Sequence, residues 1–369
     1  MTMAEKIRAR VGTRAREPGG IRHRGGEQLE LDFGQPLAAC QSKETAVADL
    51  PKSIAIKEEG PREGFQFEKG PIPTARKVEL IDALSKTGLK QLQIVSFVSP
   101  QAVPTMADAE EVVKGLTLQP GVAYTGLWFN DLGLDRAIGT GRLEIKGSIS
   151  LTASAKFLKK NLNRTPEQQL AVTRGMLGTY KERGIGMERA TVMAAFGCNF
   201  EGDIPVPRVV EMVGQLLGLA AEQNMKLKRV SLADTMAWAT PLAIKRAVGA
   251  VREKYPDLEL ELHLHDTRGM GIANAYAGME MGVARFDSSV AGLGGCPFAG
   301  HAGAAGNVCT EDLVFMCDEA GIETGIDLDA LAACGRLAED VVGHPLPGSV
   351  MKGGSLRALR SKITEAARA

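Results

Sequence analysis

His263 and His265 stand two residues apart in the run Glu259-Leu-Glu-Leu-His-Leu-His-Asp-Thr267, and chemistry enters the chain at that spacing. The run alternates apolar and polar side chains, the period of a β-strand. Leu258, Leu260, Leu262 and Leu264 fall on one face; Glu259, Glu261, His263 and His265 fall on the other. Residues two apart on a strand point the same way, so both imidazoles emerge side by side at its C-terminal end. Two neutral imidazoles so placed can share a metal ion. An isolated pair of this kind more often marks hydrogen-bonded core histidines, so the remaining ligands must be sought elsewhere.

Arg62 and Glu63, in Glu59-Gly-Pro-Arg-Glu-Gly-Phe-Gln66, offer a planar cationic fork suited to thioester or carboxylate oxygens and a hard anionic oxygen. Taken alone they also read as a solvated ion pair. Asp234-Thr235 reads as a helix cap or as a catalytic carboxylate. The glycine-rich stretch from Val290 to Phe298 carries Cys296 and runs through small residues to Asn307. Glycines there favour a loop over a packed segment, with a thiol at its tip. Asn307 adds a neutral oxygen. One carboxylate, two imidazoles and one amide suit Mg²⁺, Mn²⁺ or Zn²⁺ and leave positions for a substrate bearing two oxygens.

These residues need a scaffold that brings distant positions together. From Pro51 onward, short apolar or β-branched runs alternate with amphipathic stretches. The pattern predicts strands over 53–57, 91–97, 123–129, 143–148, 190–196, 229–232, 258–265 and 285–289. It predicts helices over 73–87, 107–116, 132–138, 166–183, 207–223, 241–254, 271–281 and 310–320. Pro73, Pro166, Pro207 and Pro241 fall near helix starts, where a missing N–H costs little. Eight strand–helix units predict an α/β fold, a (β/α)8 TIM barrel, with its site at the C-terminal ends of the strands. An open doubly wound sheet is the competitor, and no GxGxxG follows the first strand to support it. The domain reading is an Arg-rich, partly disordered extension over 1–50, a catalytic barrel over 51–326 and a C-terminal helical extension over 327–369.

The 369 residues carry 44 Lys+Arg and 44 Asp+Glu, for a formal net charge of zero. That balance argues against a nucleic-acid surface, and no apolar run reaches the length needed to cross a bilayer. Arg8, Arg10, Arg14, Arg16, Arg22 and Arg24 read as a solvated tail before a binding arm. The six cysteines form no CxxC pair and read as reduced thiols. Without an apolar secretory segment near the start, cytoplasmic is the expectation.

At its most specific segments the chain resembles 3-hydroxy-3-methylglutaryl-CoA (HMG-CoA) lyases, relatives of isopropylmalate and homocitrate synthases. These segments are Gly60-Pro-Arg-Glu-Gly-Phe-Gln-Phe-Glu-Lys69, Ser96-Phe-Val-Ser-Pro100, Lys159-Lys-Asn-Leu-Asn163, Gly197-Cys-Asn-Phe-Glu-Gly202, His263-Leu-His-Asp-Thr267 and Asp287-Ser-Ser-Val-Ala-Gly-Leu-Gly-Gly-Cys-Pro297. The resemblance runs from about Ile54 to about Ile326. It implies a divalent metal, Mg²⁺ or Mn²⁺ before Zn²⁺, held by Glu63, His263, His265 and Asn307. It implies catalytic roles for Arg62, Asp234 and Cys296. Gln66, Gln93, Ser154, Lys160, Asn161 and Thr267 would serve the substrate and its CoA arm. The implied reaction splits an HMG-CoA-like thioester into acetyl-CoA and a keto acid, with Asp234, Glu63 and Cys296 all open as the group that takes the hydroxyl proton. A citramalyl-CoA lyase giving acetyl-CoA and pyruvate, or a synthase condensing acetyl-CoA with a 2-oxo acid, are the alternatives. A homodimer is a family-level expectation.

The chain departs from the family pattern in three places. Glu63 stands where an Asp is usual, Gln93 stands where a Glu is usual, and the segment from Cys296 to Asn307 is long and carries His301. All three touch the substrate pocket or its lid.

Overall fold

The computed structural model describes residues 50–295 and 305–367. Eight strands form one parallel sheet: β1 (Ala55–Glu58), β2 (Gln91–Ser96), β3 (Ala123–Leu127), β4 (Gly147–Thr152), β5 (Met187–Met193), β6 (Arg229–Ala233), β7 (Glu259–His263) and β8 (Arg285–Ser288). Their order is β3-β2-β1-β8-β7-β6-β5-β4, so the first strand pairs with the last and the sheet curls into a (β/α)8 barrel. The seam falls between β3 and β4, where the Glu144 N–H reaches the Tyr124 carbonyl at 2.8 Å.

Helices follow the strands: α1 (Thr74–Leu84), α2 (Ala109–Gly115), α3 (Asp131–Gly139), α4 (Ala155–Leu162), α5 (Pro166–Glu182), α6 (Val206–Glu222), α7 (Pro241–Lys254), α8 (Gly271–Glu280) and α9 (Thr310–Glu319). Local chemistry sets their starts. Thr165 and Gln168 satisfy each other's backbone N–H in a capping box, with Pro166 at the first helical position. The Thr240 hydroxyl accepts the Ala243 N–H ahead of α7. Helices α10 (Leu328–Val342) and α11 (Leu356–Ala366) follow, with a short helical turn at Val350–Gly353 between them. None of the described helices is long and apolar enough to cross a membrane.

The structure moves one predicted strand. The expected 143–148 is displaced to β4 at Gly147–Thr152, because the alternating run Gly-Ser-Ile-Ser-Leu-Thr pairs with Met187–Met193. Leu143 and Ile145 pack on the core before the strand begins. Helix α4, absent from the sequence reading, starts under the cap of Ser154 and ends at Asn163, which adopts the left-handed conformation Asn tolerates.

Outward faces of the strands build the hydrophobic core. Leu92, Ile94, Val192, Leu232, Leu260 and Leu262 are buried against helix side chains such as Leu80, Leu84, Leu216 and Val248. Each such side chain contributes about 1.5–3 kcal/mol when fully buried. The inward faces differ from the branched apolar layers common in such barrels. Lys57 Nζ lies 2.7 Å from Glu59 and 3.1 Å from Asp287. Arg189 bonds both Asp287 oxygens at 3.0 Å and pairs with Glu261. The alternation that points His263 inward also points Glu261 inward, one layer below.

Candidate active site

The donors collect where the strands end. After β1 the chain makes a single π-type turn, Gly60–Gly64, that brings Arg62 and Glu63 to the barrel mouth. Gly60 is needed there, since a Cβ would fall 2.6 Å from Glu58 Oε1. Glu63 Oε1 lies 3.2 Å from His265 Nε2 and 3.7 Å from His263 Nε2. One ligand atom from each of the three residues falls within 4.8 Å of the others. Their Nδ1 atoms are engaged elsewhere: His263 with Asp287 Oδ2 at 3.1 Å, His265 with the Asp234 carbonyl at 2.6 Å. Hydrogen bonds on Nδ1 fix ring orientation and leave Nε2 as the ligating nitrogen.

Asn307 stands beside these three residues. Its backbone bridges to His265, and both atoms of its buried side-chain amide lack a hydrogen-bond partner. A Cβ placed on Gly294 would lie 3.6 Å from Asn307 Nδ2 and 3.9 Å from Glu63 Cγ, so the amide and the carboxylate flank one small space. A buried amide with nothing to bond is costly, and a cation would answer its Oδ1. The residues fit a divalent metal on that ground.

Electrostatics at the mouth are tightly coupled. Burial raises the Glu63 carboxyl, but Arg62 and His263 overcome it and hold the group well below the usual carboxylate range. Burial disfavours charge on His263, yet Glu63 and Asp287 push its pKa up to about 10. A cation is thus favoured between these carboxylates. Asp234 is 1% exposed. Its Oδ1 accepts the Trp238 and Ala239 N–H groups at 2.7 and 3.0 Å, while Oδ2 has no partner. Burial pushes its pKa up to about 6, against the pull of His265.

A cavity of about 880 Å³ opens at this mouth and descends into the barrel. Arg62, Glu63, Gln66, Gln93, Asn161, His263 and His265 line it, so the structure brings these predicted residues together. Ser154, Lys160 and Thr267 are placed differently. Ser154 is fully buried, accepting the Phe157 N–H as the cap of α4. Lys160 Nζ sits 4.6 Å above the Phe200 ring, and the Thr267 hydroxyl donates to the Ala305 carbonyl. Cys296 and His301, like the Arg-rich start of the chain, lie outside the described residues. Gly294 and Gly306 bring the two ends of that segment together: a Cβ on Gly306 would fall 2.2 Å from the Gly294 carbonyl carbon. Cys198, Cys309, Cys317 and Cys334 are free and buried.

Three residues of this neighbourhood escaped the sequence reading. Asp287 supports His263, Arg189 anchors Asp287, and Glu59 pairs with Arg62. The signal available was the period of two, which turns Lys57, Arg189 and Asp287 inward from their strands and, continued one residue past β1, also reaches Glu59.

The fold and this mouth define a barrel enzyme with a candidate divalent-metal site at the C-terminal ends of its strands. The chain belongs to the HMGL-like family, whose model matches residues 53–338. Bovine mitochondrial hydroxymethylglutaryl-CoA lyase is 41% identical over 291 residues, 79% of this chain and 86% of its own length. The Bacillus subtilis hydroxymethylglutaryl-CoA lyase is 35% identical over 297 residues, 80% of this chain and 96% of its own. A solved HMG-CoA lyase from Acinetobacter baumannii, in complex with coenzyme A and 3-methylmalate, superposes with a TM-score of 0.74 at 38% identity, covering 82% of this chain and 96% of that one.

Proposed function

We propose that this chain is a divalent-metal-dependent carbon–carbon lyase that cleaves HMG-CoA to acetyl-CoA and acetoacetate. The observation that carries the reading is the convergence of Glu63, His263 and His265 on one point, beside the unpartnered amide of Asn307. Full-length relatives named for this activity support it.

Glu63, His263, His265 and Asn307 would hold Mg²⁺ or Mn²⁺, which supplies Lewis acidity toward the substrate's hydroxyl and carbonyl oxygens. Asp234, with one oxygen unengaged and a pKa pushed up to about 6 by burial, is suited to take the 3-hydroxyl proton. The electron pair of that O–H bond becomes the carbonyl of the keto acid as the bond between the second and third carbons breaks. The pair from the broken bond passes to the thioester as an enolate. Arg62, on the cavity wall, would neutralise the developing oxyanion. A proton delivered to the enolate carbon gives acetyl-CoA, so the atoms balance without another reactant. Cys296 is our candidate for that delivery, from its place in the sequence between Gly295 and Asn307.

Citramalyl-CoA remains the second reading, favoured by one observation: the relative described above was solved with CoA and 3-methylmalate, a methyl-branched hydroxy diacid on the same four-carbon backbone as citramalate. Acetyl-CoA release from both esters, assayed with Mg²⁺ or Mn²⁺ and after chelation, separates the readings. We expect metal-dependent cleavage of HMG-CoA at the higher kcat/KM. Faster turnover of citramalyl-CoA would transfer the assignment, and acetyl-CoA from neither ester would overturn both.

A further inference from the structure

Glu59 stands outside the ligand set yet holds one of its neighbours. Its side chain is buried, with Oε1 2.7 Å from Lys57 Nζ and Oε2 paired with Arg62 Nη2. The other arm of that guanidinium, Nη1, reaches Glu63 Oε2 at 2.8 Å. One Arg62 fork is therefore shared between two carboxylates, and Glu63 is shared between Arg62 and the two histidines. A fork that bonds one carboxylate with both arms holds it more firmly than a fork whose arms are divided. Glu63 must turn its oxygens toward an ion to act as a ligand, so whatever occupies the second arm of Arg62 favours that turn.

Glu59 is not itself placed to bind a second ion. With His263 and Asp287 it forms another group of close donors, but Lys57 and Arg189 already supply cations to those carboxylates. Its contact with His263 is 3.7 Å, to the Nδ1 that Asp287 already engages. We propose that Glu59 is a positioning residue: by holding one arm of Arg62 it prevents that guanidinium from closing on Glu63, and so keeps Glu63 available to the metal. The inference rests on the metal-site reading above.

The test is a double-mutant cycle on the full chain, titrating Mn²⁺ alone by calorimetry and measuring turnover separately. Glu59→Gln is expected to weaken Mn²⁺ binding about tenfold, at the lower end of what loss of a ligand's supporting partner causes. In an Arg62→Ala background, where no guanidinium competes for Glu63, the same change should move affinity less than twofold. An equal loss in both backgrounds would mean that Glu59 acts only through its charge, and an unchanged affinity in the wild-type background would mean that it does not act on the site. Either result overturns the proposal. If Glu59→Gln unfolds the protein by stranding Lys57, the same change is made on top of Lys57→Met, with Lys57→Met alone as the reference because Lys57 also pairs with Asp287, and is read the same way. His263→Ala, titrated alongside, separates the two levels: unchanged Mn²⁺ affinity there refutes the metal site itself.

Discussion

The charges within the barrel and those at its mouth are answered to different degrees. In the interior, Asp287 accepts from Lys57, Arg189 and His263, while Glu261 is paired with Arg189. At the mouth, the Asn307 amide, Asp234 Oδ2, Gln93 Oε1 and Arg62 Nε are buried without partners. A closed network of charges rigidifies what lies above it. Open valences are costly, and those at this end of the barrel are groups that a ligand would satisfy. The lower layer holds the imidazoles; the upper layer carries the donors that a ligand would engage.

Changes on either side can break that contrast. The largest effect is expected for His263→Ala: turnover at background and no Mn²⁺ heat by calorimetry, with the urea midpoint held. Activity like the parent's would dissolve the distinction. Next comes Arg189→Met in the lower layer, which leaves Asp287 and Glu261 short of a cation. Breaking a buried ion network costs about 3–5 kcal/mol, so the urea midpoint should fall steeply. An unaltered midpoint would show that the interior charges are not integral to the fold. Asp234→Asn gives the smallest change, lowering kcat about a hundredfold, within the ordinary range for a general base. The base acts as its carboxylate, whose pKa lies raised at about 6, so the parent's rate should climb as pH rises through that value. The limb should vanish in the variant; its persistence would assign the proton elsewhere.

Much of the fold was legible because the strands alternate and the helices carry marked starts. Leu260 and Leu262 face out and Glu261 and His263 face in, as the period of two requires. Displacement of β4 was not legible: Leu143 and Ile145 look like strand residues, and only the partner Met187–Met193 reveals which alternating run is paired. At the site, side-chain types at strand ends pointed to Glu63, His263, His265 and Asn307. Ser154 looked like a ligand-binding hydroxyl, but its place before Phe157 makes it a helix cap, a competition that local sequence leaves undecided. The roles of Glu59 and Asp287 depend on pairing across the barrel, where β1 lies beside β8 although more than 200 residues separate them. Periodicity reports the face a residue occupies, and long-range register decides whom it meets there.

The close approach of Gly294 and Gly306 has a consequence for how this protein can vary through descent. Two points of the chain are pinned at contact distance, and the intervening residues begin and end there. The entropy of closing a loop between fixed ends grows slowly with its length, about 0.6 kcal/mol for each doubling. Insertions in this interval can therefore accumulate without shifting Asn307, whose register is set by its bridge to His265. Replacing Gly306 would part the two stretches of chain, and Gly294 holds a φ of 114° that L side chains rarely adopt. The interval can thus change in length while Glu63, His263, His265 and Asn307 keep their places.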